Sequence, residues 1–80
     1  MHFAILAMLF ALVDPSLIPD GDYNVTVERV VDAKHLVVRM ENGVEARLPA
    51  TGSMTFDTSQ KVTKAHIFVY KGVIITYKAG

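Results

Sequence analysis

Along residues 35–48, HLVVRMENGVEARL, apolar and polar positions alternate on both sides of Asn42-Gly43. On the first run Leu36, Val38 and Met40 point one way while His35, Val37, Arg39 and Glu41 point the other. On the second, Val44, Ala46 and Leu48 oppose Glu45 and Arg47. A period of two is the signature of a strand with one core face and one wet face. Asn-Gly between two such runs predicts a tight hairpin with a two-residue type I′ turn, which requires φ > 0 at both central residues. Two strands alone are marginal in water, so the hairpin must belong to a larger sheet.

The same period governs most of the chain. In YNVTVERVV, Val25 and Val27 alternate with Asn24, Thr26 and Glu28 and then lose phase at Arg29-Val30-Val31, which predicts a bulge or strong bend. Asp32-Ala33-Lys34 leads into the hairpin, and PATGSMTFDTSQ follows it as a turn-rich loop with Met54 and Phe56 as apolar plugs. A second long hairpin, KVTKAHIFVYKGVIITYKAG, turns near Lys71-Gly72. Five strands, the first of them bulged, predict an all-β domain over residues 23–80, a small five-stranded OB-like barrel whose closure would remove exposed edges.

Residues 1–22 read differently, as an apolar N-terminal arm and connector. The run over residues 3–13 is rich in Ala, Leu and Met, which favour helix, and Asp14-Pro15 would stop it. It is shorter than the 20 or so residues that span a bilayer, so a membrane is not the expected partner. A cleaved secretory signal is not expected either, because no Lys or Arg precedes the run and no small-x-small site follows Val13. The expected location is cytoplasmic or virion-associated.

Composition sharpens this picture. Eighty residues make one domain that buries only about 60% of its unfolded surface. With no cysteine, disulfides and thiolate zinc sites cannot reinforce so small a core, which leaves a partner as the attractive supplement. The hydrophobic fraction of 51% is high for this size. Formal charge is zero, yet residues 1–22 hold three aspartates and no Lys or Arg, so the remainder carries eight basic against five acidic residues. A charge of +3 permits nucleic-acid contact without announcing it.

The segment LVVRMENGVEARLPATGSM resembles the middle of bacterial translation initiation factor one, an OB-fold RNA-binding family, through Val38, the Glu41-Asn42-Gly43 turn, Glu45, and Gly52 with Met54. Lys61-Val62-Thr63 and Lys71-Gly72 are similar to that family's last hairpin, and the likeness covers residues 23–78. It implies an OB barrel and an RNA site. The chain departs where the family is basic after its Gly-Lys-Met, with Ser53, Thr55 and Asp57 there instead, and residues 1–22 have no counterpart. A weaker resemblance joins VERVVDAKHLVVRMENGVEARL to thermonuclease-like barrels, in which Asp32 and Arg47 fall at an acidic loop and a catalytic arginine. Lys34 replaces a metal-binding aspartate of that family, and Gly52 and Thr55 stand where carboxylates belong. Metal-assisted phosphodiester hydrolysis needs clustered oxygen ligands, so no nuclease activity is expected.

Other chemistry is sparse. DGDYN at residues 20–24 mimics half a calcium loop, but Val25 and Val31 occupy the glycine and bidentate-glutamate positions. His2, His35 and His66 lack metal-ligand spacing, Ser16, Ser53 and Ser59 lack a paired base, and Asn24-Val25-Thr26 reads as strand rather than glycosylation site. No enzyme activity, metal or cofactor is expected. Lys64, His66, Phe68 and Tyr70 share one strand face and combine cations with π-faces, as single-stranded nucleic acid requires. The opposite face of that strand is also apolar, as in a strand covered by another element. The leading expectation is therefore a non-catalytic barrel that works by protein–protein assembly, as a structural or accessory subunit of a homo- or hetero-oligomeric particle such as a virion. Phe3, Ile5, Leu6, Leu9, Phe10, Phe68 and Tyr70 would dock the partner. The alternative is an initiation-factor-like RNA-binding protein using Arg39, Arg47, Lys64, His66, Phe68 and Tyr70.

Overall fold

A computed structural model describes residues 12–59, 61 and 63–80. Those residues form five antiparallel strands, β1 (Gly21–Asp32), β2 (His35–Met40), β3 (Glu45–Pro49), β4 (Thr63–Tyr70) and β5 (Val73–Ala79). They make one sheet in the order β3-β2-β1-β4-β5. The first strand begins at Gly21, two residues before the expected domain boundary, because Gly21 and Asp22 already pair with Val69 and Phe68. At the other end of the order the sheet curls: Ala50, just past β3, bridges Ile74 in parallel, and Thr51 N–H donates to the Ile74 carbonyl at 3.0 Å. No ladder runs along that junction among the described residues.

The core is the inner face that the alternation specifies. Val25, Val27, Leu36, Val38, Met40, Ala46, Leu48, Ala65, Ile67, Val69 and Ile74 are all buried, and Phe56 of the 50–62 loop plugs one end, edge-on to Tyr77 at 5.4 Å. The phase slip in β1 resolves into two bulges. Glu28 is the extra residue between the Val27↔Val38 and Arg29↔Val37 pairs, and Val31 is extra between Val30↔Leu36 and Asp32↔His35. Each bulge adds twist, which lets one strand pair with β2 at one end and β4 at the other.

Two details differ from the sequence reading. The β2–β3 turn is not type I′. Met40 N–H donates to the Val44 carbonyl and Gly43 N–H to the Met40 carbonyl, at 2.8 and 2.9 Å, so the loop has three residues, and Gly43 alone of them has positive φ, +91°. Parity demands this: a two-residue loop would set Met40 opposite Glu45, a core residue opposite a charge, whereas the observed loop sets Leu36 opposite Leu48 and Val38 opposite Ala46. The type I′ geometry occurs instead at Lys71-Gly72, where both residues have positive φ, 52° and 78°. The second difference is Val37, which points outward with the polar set yet is 1% exposed. Its neighbours in register are Arg29 and Arg47, long side chains whose apolar stems can cover a valine.

The described part of the connector is tied to the sheet. Val13 bridges Ala46 at the β3 edge, and Pro15–Leu17 forms a 3-10 turn capped by Asp14, whose Oδ1 accepts from Ser16 N–H and Oγ. The helical arm expected over residues 3–13, with Phe3, Ile5, Leu6, Leu9 and Phe10, lies outside the described residues except at its last two positions, where Val13 is extended rather than helical. No described helix is long and apolar enough to cross a membrane.

Candidate nucleic-acid interface

Strand pairing gathers polar side chains of four strands into one trough on the outer face, about 670 Å³ in volume. Register defines its parts. Ala79, Ala65, Val25 and Met40 lie in one row across β5, β4, β1 and β2. Val25, Ala65 and Met40 bury their side chains in the core, so their backbones form the floor. The row on one side holds Lys78, His66 and Asn24, with Glu41 beyond Met40. The row on the other side holds Lys64, Thr26 and Arg39.

The charges in these walls are not equivalent. Arg39 is tied down: its guanidinium donates to Glu45 through Nη2 at 2.9 Å and Nε at 3.2 Å, and pairs with Glu28 at 3.0 Å. The hydrogen bonds it donates to Glu45, and then the charge of Glu28, hold it above its ordinary pKa. His66 Nδ1 lies 2.9 Å from Asn24 Oδ1 and Nε2 3.1 Å from Asp22 Oδ1, contacts that an imidazolium can donate to on both sides. Lys64 and Lys78 have no ion-pair partner among the described residues. Free positive charge thus sits at the β4–β5 end of the trough, and Glu41, the one acid among its described lining residues, sits at the β2 end.

The anticipated stripe is divided by this geometry. Lys64, His66, Phe68 and Tyr70 do share the outer face of β4, opposite buried Ala65, Ile67 and Val69. Only Lys64 and His66 line the trough. Phe68 is half-buried between Asp22 and Thr76, and Tyr70 is exposed at the hairpin end with Lys71 Nζ 5.4 Å from its ring centre. Arg47 is exposed on β3, near enough to Asp32 to help hold that carboxyl down, and away from the trough. Lys78, Asn24 and Thr26 belong to the trough and were not singled out from sequence. Asn24 and Thr26 carried a signal, their alternation on β1; Lys78 did not, because a bulge at Ile75 sets its face.

Asp32 and Lys34 of the thermonuclease-like stretch make local contacts. Asp32 Oδ1 accepts from Lys34 N–H and meets His35 Nδ1, both at 2.8 Å, and these contacts, His35 first, lower its pKa. Lys34 Nζ donates to the carbonyls of Gly52 and Met54 at 2.6 and 2.7 Å, holding the loop that carries Phe56. Among the described residues no three His, Cys, Asp or Glu side chains gather as a metal site. Asp20, Asp22 and Asn24 of the calcium-like stretch are not grouped on a loop: Asp22 and Asn24 are in the β1–β4 ladder, and Asp20 Oδ1 accepts from Lys71 N–H.

No protein-family model matches the chain, and neither a curated protein nor a solved structure matches it.

Proposed function

We propose that this chain is a small OB-type barrel that binds single-stranded nucleic acid across its outer face. One observation carries the reading: Lys64 and Lys78, cations on neighbouring strands with no ion-pair partner among the described residues, flank a polar trough that crosses four strands. A groove with cationic walls suits the backbone of a single strand, whose phosphates supply the affinity. The strand order, with its parallel link from the end of β3 to β5, supports an OB barrel, and the resemblance to initiation factor one over residues 23–78 agrees with it. The test is fluorescence anisotropy with a labelled single-stranded oligonucleotide over a salt series. Log affinity should fall linearly with log salt, and Lys64→Ala and Lys78→Ala should each reduce the slope by about 0.7. Absence of salt-sensitive binding by the wild type overturns the reading.

A second reading, assembly as a structural or accessory subunit of a larger particle, is favoured by a different observation. Leu12 and Leu17 are 42% and 70% exposed on either side of the Val13 bridge to Ala46, whereas almost every other large apolar side chain of the described residues is covered. Solution mass over a concentration series tests it: self-association that Leu17→Ser abolishes favours assembly, and a monomer at all concentrations counts against a homo-oligomer.

A further inference from the structure

A second cavity of about 410 Å³ adjoins the trough and shares Asn24, Met40 and Glu41 with it. Its walls are of another kind, formed mainly by Val13, Leu17, Ile18, Tyr23, Met40 and Val44, with the amides of Asn24 and Asn42 beside Glu41. Among the described residues no cation lines it, and the only charged group at its rim is Glu41, exposed and without an ion-pair partner. Tyr23 is held in place by its hydroxyl, which donates to the Pro19 carbonyl. We infer that this cleft receives one unstacked nucleobase of the strand whose phosphates lie in the trough, a proposal that rests on the nucleic-acid reading above.

Charge decides which part of a nucleotide fits. A phosphate would meet Glu41 and apolar walls with no countercharge, so it is excluded from the cleft and belongs at the Lys64/Lys78 end. A base is neutral, has apolar faces that suit the aliphatic walls and the Tyr23 ring, and keeps its polar edge toward the rim. At that rim the Glu41 carboxylate is an acceptor, which matches the exocyclic amino groups of adenine, cytosine or guanine, whereas uracil and thymine offer it only the ring N3–H. The trough and cleft together thus orient a strand: phosphates toward β5, base toward the β2–β3 turn.

The experiment compares two single-stranded oligonucleotides of equal length and charge on the full chain, one with adenine bases and one abasic. The adenine strand should bind roughly tenfold tighter, the effect of one stacked base. Val44→Met, an uncharged apolar plug, should bring that ratio close to one while leaving the abasic affinity and salt slope unchanged. Glu41→Ala should narrow the preference for adenine over uracil strands. Equal binding of adenine and abasic strands by the wild type overturns the cleft assignment and leaves the trough standing. A preference that survives Val44→Met overturns it too, by locating the base elsewhere. Dimerisation abolished by Val44→Met makes the cleft a self-contact, which also overturns the proposal. Failure of both strands to bind at low salt removes the nucleic-acid reading itself.

Discussion

Met40 and Val44 face each other across a three-residue turn, with Met40 N–H donating to the Val44 carbonyl at 2.8 Å. Their pairing keeps the apolar sets of β2 and β3 on the same side, and it rests on Gly43, whose φ of +91° lies beyond the left-handed basin that L-residues visit. Gly52, at φ +51°, lies within that basin. Gly43→Val should therefore destabilise the fold more than Gly52→Val, by roughly 1–3 kcal/mol against a smaller loss. Gly72 is more constrained still, because a Cβ there would sit 3.1 Å from the Pro15 carbonyl oxygen as well as at positive φ. Of Gly43→Ala and Gly72→Ala, the second should have the lower thermal midpoint. The reverse order would refute the packing of the connector on the β4–β5 turn.

Lys34 should prove structural. Lys34→Met keeps the stem and removes the two bonds to the Gly52 and Met54 carbonyls, so a loss of roughly 1–3 kcal/mol is expected. Hydrogen exchange distinguishes this from a general effect. The Phe56 amide, which donates to the Ala33 carbonyl at 2.8 Å, should lose protection more than amides in the β1–β4 ladder.

The Asp32 carboxyl gives a pH dependence whose sign follows from its depressed pKa. Its ionised form accepts from His35 and the Lys34 amide in the folded chain, so its stabilising effect is complete above the unfolded carboxylate value, about 4. That effect is lost as pH falls through the lower folded value. Asp14 and Asp57, each accepting from the serine two residues on, act with the same sign. Carbon-detected NMR titration should show all three ionising below free aspartate, and His35→Ala should raise Asp32 alone. An Asp32 titrating at or above the free value would contradict the turn geometry.

Arg39 is held by Glu45 and Glu28, which leaves its charge matched within the protein. Glu28→Gln combined with Glu45→Gln would release that charge into the trough. Oligonucleotide affinity should then rise, and the salt slope should steepen by about 0.7 for one added phosphate contact. An unchanged slope would mean that Arg39 does not face the bound strand.

Much of this protein was legible from alternation alone. Because a strand's side chains change face at every residue, the polar positions of β1, β2 and β3 announced which residues fill the core, and loss of phase after Glu28 announced the bulged bend. The loop length at Glu41-Asn42-Gly43 was legible too, since only an odd loop keeps Met40 and Val44 on one side, but the Asn-Gly signal pointed to the shorter turn. Tertiary structure alone decided the place of Lys78 in the candidate site. In β5 the bulge falls within Ile74-Ile75, two apolar residues that carry no mark of phase, and a ladder continued unbroken from Tyr70↔Val73 would put Lys78 opposite Ala65 on the inner face. The extra residue instead sets Lys78 beside His66 on the outside. A local pattern records which face a side chain prefers only where its neighbours differ in polarity. Where they do not, the register comes from pairing with a strand distant in sequence, and with it the place of the lysine that completes the trough.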